Sequence, residues 1–234
     1  MRQEQLDELW DFNDPRASEA RFRAAAHHAS GAERQVLLTQ AARALGLQER
    51  FTEALELLQG VEDHLDSRDA ALGRQGRAEL WARVLLERGR VLNSSGDPGA
   101  AVVLFGQAAG YASATAPFLA ADALHMLAIA DPGRAGQWTE RGIAVAEAAD
   151  PRTRRWTAAF LNNWAWTLYD AGDKAGALRQ FRRALREARE HGTPEQVDYA
   201  QKAYEQVRVE AAAAAGSADS GGRTAPPGPP APDE

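Results

Sequence analysis

Five histidines are the first candidates for catalysis or metal binding: His27, His28, His64, His125 and His191. None stands in an HExxH or comparable ligand spacing. His27 and His28 are adjacent, which on a helix points them about 100° apart and favours surface or packing roles. The run Glu62-Asp63-His64-Leu65-Asp66 concentrates oxygen donors. It lacks the glycine turn and donor spacing of a calcium loop, and reads as a solvated helix end. There is no GxxxxGK or GxGxxG loop to cradle a phosphate and no GxSxG elbow to present a nucleophilic serine. The expectation is a non-catalytic chain with no metal and no cofactor.

Composition narrows the partners. The 234 residues carry a net charge of −6, whereas nucleic-acid binders are usually basic, so no nucleic acid is expected. Lys174 and Lys202 are the only lysines, and arginine supplies the remaining basic charge. Without cysteine, disulfides and thiolate zinc sites are excluded. The opening residues MRQEQLDELWDF contain no apolar signal region. No apolar run approaches the ~20 residues of a membrane span, so a cytoplasmic location without membrane contact is expected.

The elements that must position any site are helices. Alanine supplies much of the apolar fraction, and it has the best helix propensity. β-branched residues are sparse, and no segment alternates apolar and polar as a half-buried strand does. The best-defined unit puts Leu161, Trp164, Ala165 and Leu168 on one helical stripe and Ala177, Phe181, Ala184 and Leu185 on another, with Gly172-Asp173 between them. Glycine can end the first helix and aspartate can cap the second. Weaker copies follow the same order. One has Leu85, Arg88, Gly89 and Leu92, then Gly96-Asp97, then Ala101, Phe105 and Ala108. Another has Leu38, Ala41, Ala42 and Leu45, then Ala54, Leu58 and Val61, with no glycine in its turn. A third has Ala123 and Met126, then Ala135 and Gly142, with Trp138 near the aromatic place.

The strongest unit resembles the tetratricopeptide repeat, because seven positions and the turn agree with that family's pattern. Aligned second helices place Ser18, Ala54, Ala101, Ala135 and Ala177 in register, at spacings of 36, 47, 34 and 42. The family period is 34. The last spacing, with its Leu-Asn-Asn opening, resembles the longer repeats of kinesin light chains and related bacterial proteins. Asp14-Pro15, Asp97-Pro98, Asp131-Pro132, Asp150-Pro151 and Thr193-Pro194 mark helix starts independently. The resemblance implies an all-α fold, a right-handed α-solenoid of stacked antiparallel helix pairs. About four repeats are expected over residues 1–215, with an N-terminal half-repeat starting at Asp14 and a capping helix from Pro194 to Ala215. Trp10 and Phe12 are expected to pin a short first helix onto the array. The Pro/Gly/Ala-rich segment 216–234 lacks large apolar side chains and is expected to be disordered.

The resemblance also implies a concave groove lined by the first helix of each pair. Its exposed positions are expected at Thr39 and Arg43, then Arg83, Arg90 and Asn93, then Leu124 and Leu127, then Asn162, Asn163, Trp166 and Tyr169. Arginines fork onto carboxylates, asparagine amides pair with a peptide backbone, and Trp and Tyr anchor interfaces. Such a groove suits an extended, acidic protein or peptide segment with an apolar anchor. Two functions remain open: a protein-binding scaffold, and a ligand- or peptide-sensing module acting on a transcription regulator in trans. The family's carboxylate clamp is not supported, since its lysines are missing. Alanine-rich faces and the region between Val61 and Leu85, with Gly73 and Gly76, also suit self-association.

Overall fold

The computed structural model describes residues 3–66, 72–113 and 115–220. The Asp-Pro pairs and their relatives set the helix starts. Asp14, Asp97, Asp150 and Asp173 each accept a bond from a first-turn N–H, at distances between 2.7 and 3.1 Å. These bonds satisfy donors that the first helical turn leaves without partners. Thr193 and Gln196 form a reciprocal capping box, with Thr193 Oγ1 accepting from the Gln196 N–H and Gln196 Oε1 from the Thr193 N–H. Asp131 behaves differently. Its carboxylate takes Trp138 Nε1 at 2.9 Å and Arg134 Nε at 2.7 Å. A 3-10 turn, Pro132–Arg134, therefore precedes the following helix.

The helices are α1 (Gln3–Asp7), α2 (Pro15–His28), α3 (Gly31–Leu47), α4 (Phe51–Asp66), α5 (Arg74–Ser94), α6 (Pro98–Ala112) and α7 (Pro117–Ala130). After the 3-10 turn come α8 (Ala135–Glu147), α9 (Pro151–Arg154), α10 (Trp156–Asp170), α11 (Lys174–His191) and α12 (Pro194–Ser220). Four pairs result: α3/α4, α5/α6, α7/α8 and α10/α11. The half-repeat is α2. The face of α12 carrying Val197, Ala200, Tyr204 and Val207 packs on the last pair. This helix continues past the expected end at Ala215 to Ser220, while 221–234 lie outside the described residues. Among the described residues no helix is long and apolar enough to cross a membrane.

Helices α3, α5, α7, α10 and α12 touch their neighbours in one row, while α2, α4, α6, α8 and α11 form the outer row. The row whose successive helices touch one another is the concave one. All five register positions, Ser18, Ala54, Ala101, Ala135 and Ala177, are buried. The two extended spacings have separate causes. One contains the long α5, beginning after Gly73; the other contains the single-turn α9 inserted before α10.

Small residues let the pairs close. A Cβ on Gly89 would lie 2.5 Å from Phe105, and one on Gly142 would lie 2.0 Å from Phe160. Phe22, Phe105, Phe160 and Phe181 are fully buried, each contributing up to about 3 kcal/mol by burial. Turn glycines Gly96 and Gly172 adopt positive φ. In the pair without a turn glycine, Glu49 takes that left-handed place, at φ 59°, a conformation disfavoured for residues with a Cβ. Arg88 occupies a normally apolar position, yet pairs with Glu62 at 2.6 Å and with Gln59, joining α5 to α4.

Candidate functional site on the concave face

The N-terminal half of the concave row is more tightly packed, with a smaller cavity of about 220 Å³ lined by Arg43, Glu87, Arg90, Val91 and Met126. Helix α3 is buried almost all round, so Thr39 does not line a groove; it is fully buried, its hydroxyl donating to the Val36 carbonyl at 2.7 Å. Leu124 and Leu127 are likewise core, in one cluster with Phe105 and Phe160. These positions were expected at the surface. Helix α7 is wedged between α6, α8 and the flanking first helices, which leaves it no free stripe there.

Charge in this half is mostly internal. Arg90 bridges Glu87 and Asp122 at 2.5 Å each, and both acids are buried. Burial pushes the Glu87 carboxyl above its ordinary value, against the pull of Arg90 and Arg43. Burial acts the same way on Asp122, but Arg90 and Arg43 outweigh it and hold that carboxyl low. Arg83, also buried, reaches Glu79 and Gln3. Asn93 is half-buried near the end of α5. Thus Arg90, expected to greet a ligand, is spent on the fold, because two buried carboxylates need a cation beside them.

The segment 3–13 covers this half. Leu6 is fully buried with Phe22, Leu37, Ala41, Leu80 and Val84. Trp10 Nε1 donates to Gln40 at 3.1 Å, and Trp10 stacks on Phe12 with centroids 4.6 Å apart. The Arg43 guanidinium lies 5.4 Å from both ring centroids. Asp7 pairs with Arg152 in α9. Trp10 and Phe12 do hold α1 against the array as their residue types suggest, and they do so on Arg43.

The C-terminal half is open. A cavity of about 520 Å³ lies between α7, α10 and the start of α12, lined by His125, Ala158, Asn162, Asn163, Trp166, Gln196 and Tyr199. Alanines at 158 and 159 leave this space because they carry no side chain to fill it. Asn162 is only 8% exposed and its Oδ1 has no hydrogen-bond partner, which costs about 1–3 kcal/mol. Trp166 makes T-shaped contacts with Phe181 at 4.8 Å and Tyr169 at 5.6 Å between ring centroids, and also lines the cavity. Tyr199 is 57% exposed at the mouth. Glu195 is the one ionised lining residue, its carboxyl held low by its own backbone N–H and by Thr193. His125 lies 5.3 Å from Trp156 and 5.5 Å from Phe160 between ring centroids. Burial pushes it down to about 4 although Asp122 opposes, so it is neutral at pH 7.

Asn162, Asn163 and Trp166 therefore line one cavity, as their spacing on a helix allows. Tyr169 does not join them. Its hydroxyl bonds Glu210 and its ring lies under Lys174, which places it in the seam between α10, α11 and α12. His125, Gln196 and Tyr199 escape the repeat alignment. Tyr199 lies on the outer side of the apolar stripe of α12, and no sequence signal brings that helix across the groove.

Stacked helix pairs with a smaller cavity in one half of the concave row and a larger one in the other define a helical-repeat fold. Residues 157–191, spanning most of α10 and all of α11, match the tetratricopeptide repeat family. The crystal structure of BtubC (BKLC) from P. vanneervenii shares the fold, with a TM-score of 0.58 and 15% identity over 98% of this chain and 97% of that chain. A search of curated proteins finds no match. Residues 157–191 thus carry a repeat similar to a family that generally mediates protein–protein interaction, within a helical-repeat fold.

Proposed function

We propose that the chain is a non-catalytic adaptor that takes an extended segment of a partner protein into the C-terminal half of its concave face. One observation carries this reading: a cavity large enough for side chains is lined by the residues Asn162, Asn163, Trp166 and Tyr199. Side-chain amides can pair with the backbone of an extended segment, since every non-proline residue carries a donor and an acceptor. Asn163 adds a second amide. Trp166 and Tyr199 offer apolar walls for one anchoring side chain.

The cavity offers no cation, because His125 is neutral and Glu195 is negative. The segment favoured here is therefore neutral or basic, in contrast to the acidic one suggested by the arginines in the sequence. The net charge of −6 and the lack of a basic lining argue for a protein partner rather than nucleic acid. The absence of cysteine and of a membrane-spanning pattern is compatible with work in the cytoplasm.

A photocrosslinker at position 199 tests this site. The expected result is a partner captured through position 199 and lost about tenfold or more in Asn162→Ala, as one desolvated hydrogen bond predicts. A folded Asn162→Ala/Tyr199→Arg variant that retains every wild-type partner would remove the assignment.

A further inference from the structure

We propose that the N-terminal half of the concave face is a second recognition site, for a short acidic segment with leucine and tryptophan anchors, held in this chain by its own residues 3–12. This site is separate from the cavity between α7, α10 and α12, and the proposal does not depend on that cavity's role.

The occupant and its seat are complementary in kind. The segment carries Glu4, Asp7, Glu8 and Asp11 between Leu6, Leu9, Trp10 and Phe12. Leu6 and Trp10 are four residues apart, the spacing that puts two side chains on one helical face. The seat supplies an apolar socket for Leu6, the Gln40 amide oxygen for the indole N–H, and three arginines. Arg83 takes Gln3, Arg152 takes Asp7, and Arg43 lies on the Trp10 and Phe12 rings. Among the described residues Arg43 has no carboxylate at ion-pair distance. Its desolvated guanidinium has its pKa lowered by burial and by Arg90, so a nearby anion would be favourable there. A segment that places an acid closer to Arg43 than Asp7 does has something to gain.

The occupant is attached as a ligand is attached. Apart from the Asp11 backbone, which bonds Ser18, its polar contacts with the solenoid run through side chains, and the backbone bonds recorded for residues 8–10 stay within the segment. Helix α1 has five residues, too few to persist alone in water. Only Leu6 is deeply buried, whereas Phe12 is 59% exposed. The connection to α2 is a turn hinged on Ser18, whose hydroxyl bonds the Asp11 backbone. Any chain presenting the same anchors can therefore take the same seat without disturbing the helix pairs beneath it.

The test uses a fluorescent peptide of residues 3–13, QEQLDELWDFN, and the full chain. In a Leu6→Ala/Trp10→Ala variant the internal occupant is weakened, and the peptide binds at least ~100-fold more tightly than it does to wild type, because wild type carries the cost of opening the seat. Adding Arg43→Glu to that variant abolishes binding, and adding Asn162→Ala leaves it unchanged. A folded variant that ignores the peptide, or binds a scrambled peptide equally well, overturns the proposal. So does a variant that loses its helical content, since the segment is then a fixed part of the fold. Hydrogen exchange on the unaltered chain provides a second measurement. Residues 3–10 are expected to exchange at least ~100-fold faster than α3 and α5, and equal protection overturns the proposal.

Discussion

The two halves of the concave face are built from the same kind of helix but differ in lining, and the N-terminal cavity, about 220 Å³, is the smaller. In the N-terminal half, arginine meets acid: Arg90 spans Glu87 and Asp122, Arg83 meets Glu79, and Arg43 is roofed by Trp10 and Phe12. In the C-terminal half, asparagines and aromatics border an open cavity in which Asn162 Oδ1 stays unpaired. The difference follows from charge burial. A buried ion must find its counter-ion within the fold, whereas a single neutral amide can be left waiting at a cost the fold tolerates. Charged lining residues are therefore the ones most readily consumed by the structure, and neutral polar ones remain to meet a ligand.

The largest expected effect tests the closed half. Arg90→Ala strands Glu87 and Asp122, and is expected to destabilise by about 3–5 kcal/mol in thermal or denaturant unfolding. A neutral result would mean that the arginine is free for a ligand after all.

Next comes His125, at the border of the two halves. Its imidazole titrates at about 4 in the fold against roughly 6.5 when unfolded. A depressed pKa means that the neutral form is favoured by folding. The corresponding stability is fully present above pH 6.5 and is lost as pH falls from there toward 4. With partial exposure allowed for, the loss is about 1–2 kcal/mol. His125→Phe, which keeps the contacts to Trp156 and Phe160, should flatten the stability curve over that window relative to wild type. Identical curves would place the imidazole in water.

Asn162→Leu separates stability from binding in the open half. Replacing an unpartnered buried amide by an apolar side chain of similar size is expected to stabilise the chain by about 1 kcal/mol, while partner capture falls. Loss of stability would instead show that the amide is bonded within the fold. The smallest effect belongs to a turn on the outer side of the closed half. Glu49→Gly relieves the left-handed backbone at φ 59°, at the expense of a more flexible unfolded chain. A net gain of a few tenths of a kcal/mol up to about 1 kcal/mol in melting experiments is expected.

Much of the fold was legible because its causes are local. Caps at Asp14, Asp97 and Asp173 act on the next turn of backbone, and Gly96 and Gly172 act on their own φ. The apolar stripes of α10 and α11 then placed the strongest repeat, and the register from Ser18 to Ala177 held throughout. The site was legible only where one helix supplies it, as with Asn162, Asn163 and Trp166 on α10. Thr39, Leu124 and Leu127 went inside because α3 and α7 are enclosed by neighbours whose closeness a single helix cannot report.

The amino-acid sequence by itself determined the helix pairs, their number, the capped starts at Asp14, Asp97, Asp150, Asp173 and Thr193 and the candidate stripe on α10, since propensity, capping and periodicity are short-range. Only the tertiary structure decided which of those lining residues are available. Residue 7 met residue 152 and residue 43 met residue 10 across distances along the chain that no periodicity encodes. Availability depends on those long-range meetings, because a side chain serves a partner only if the fold has not already used it.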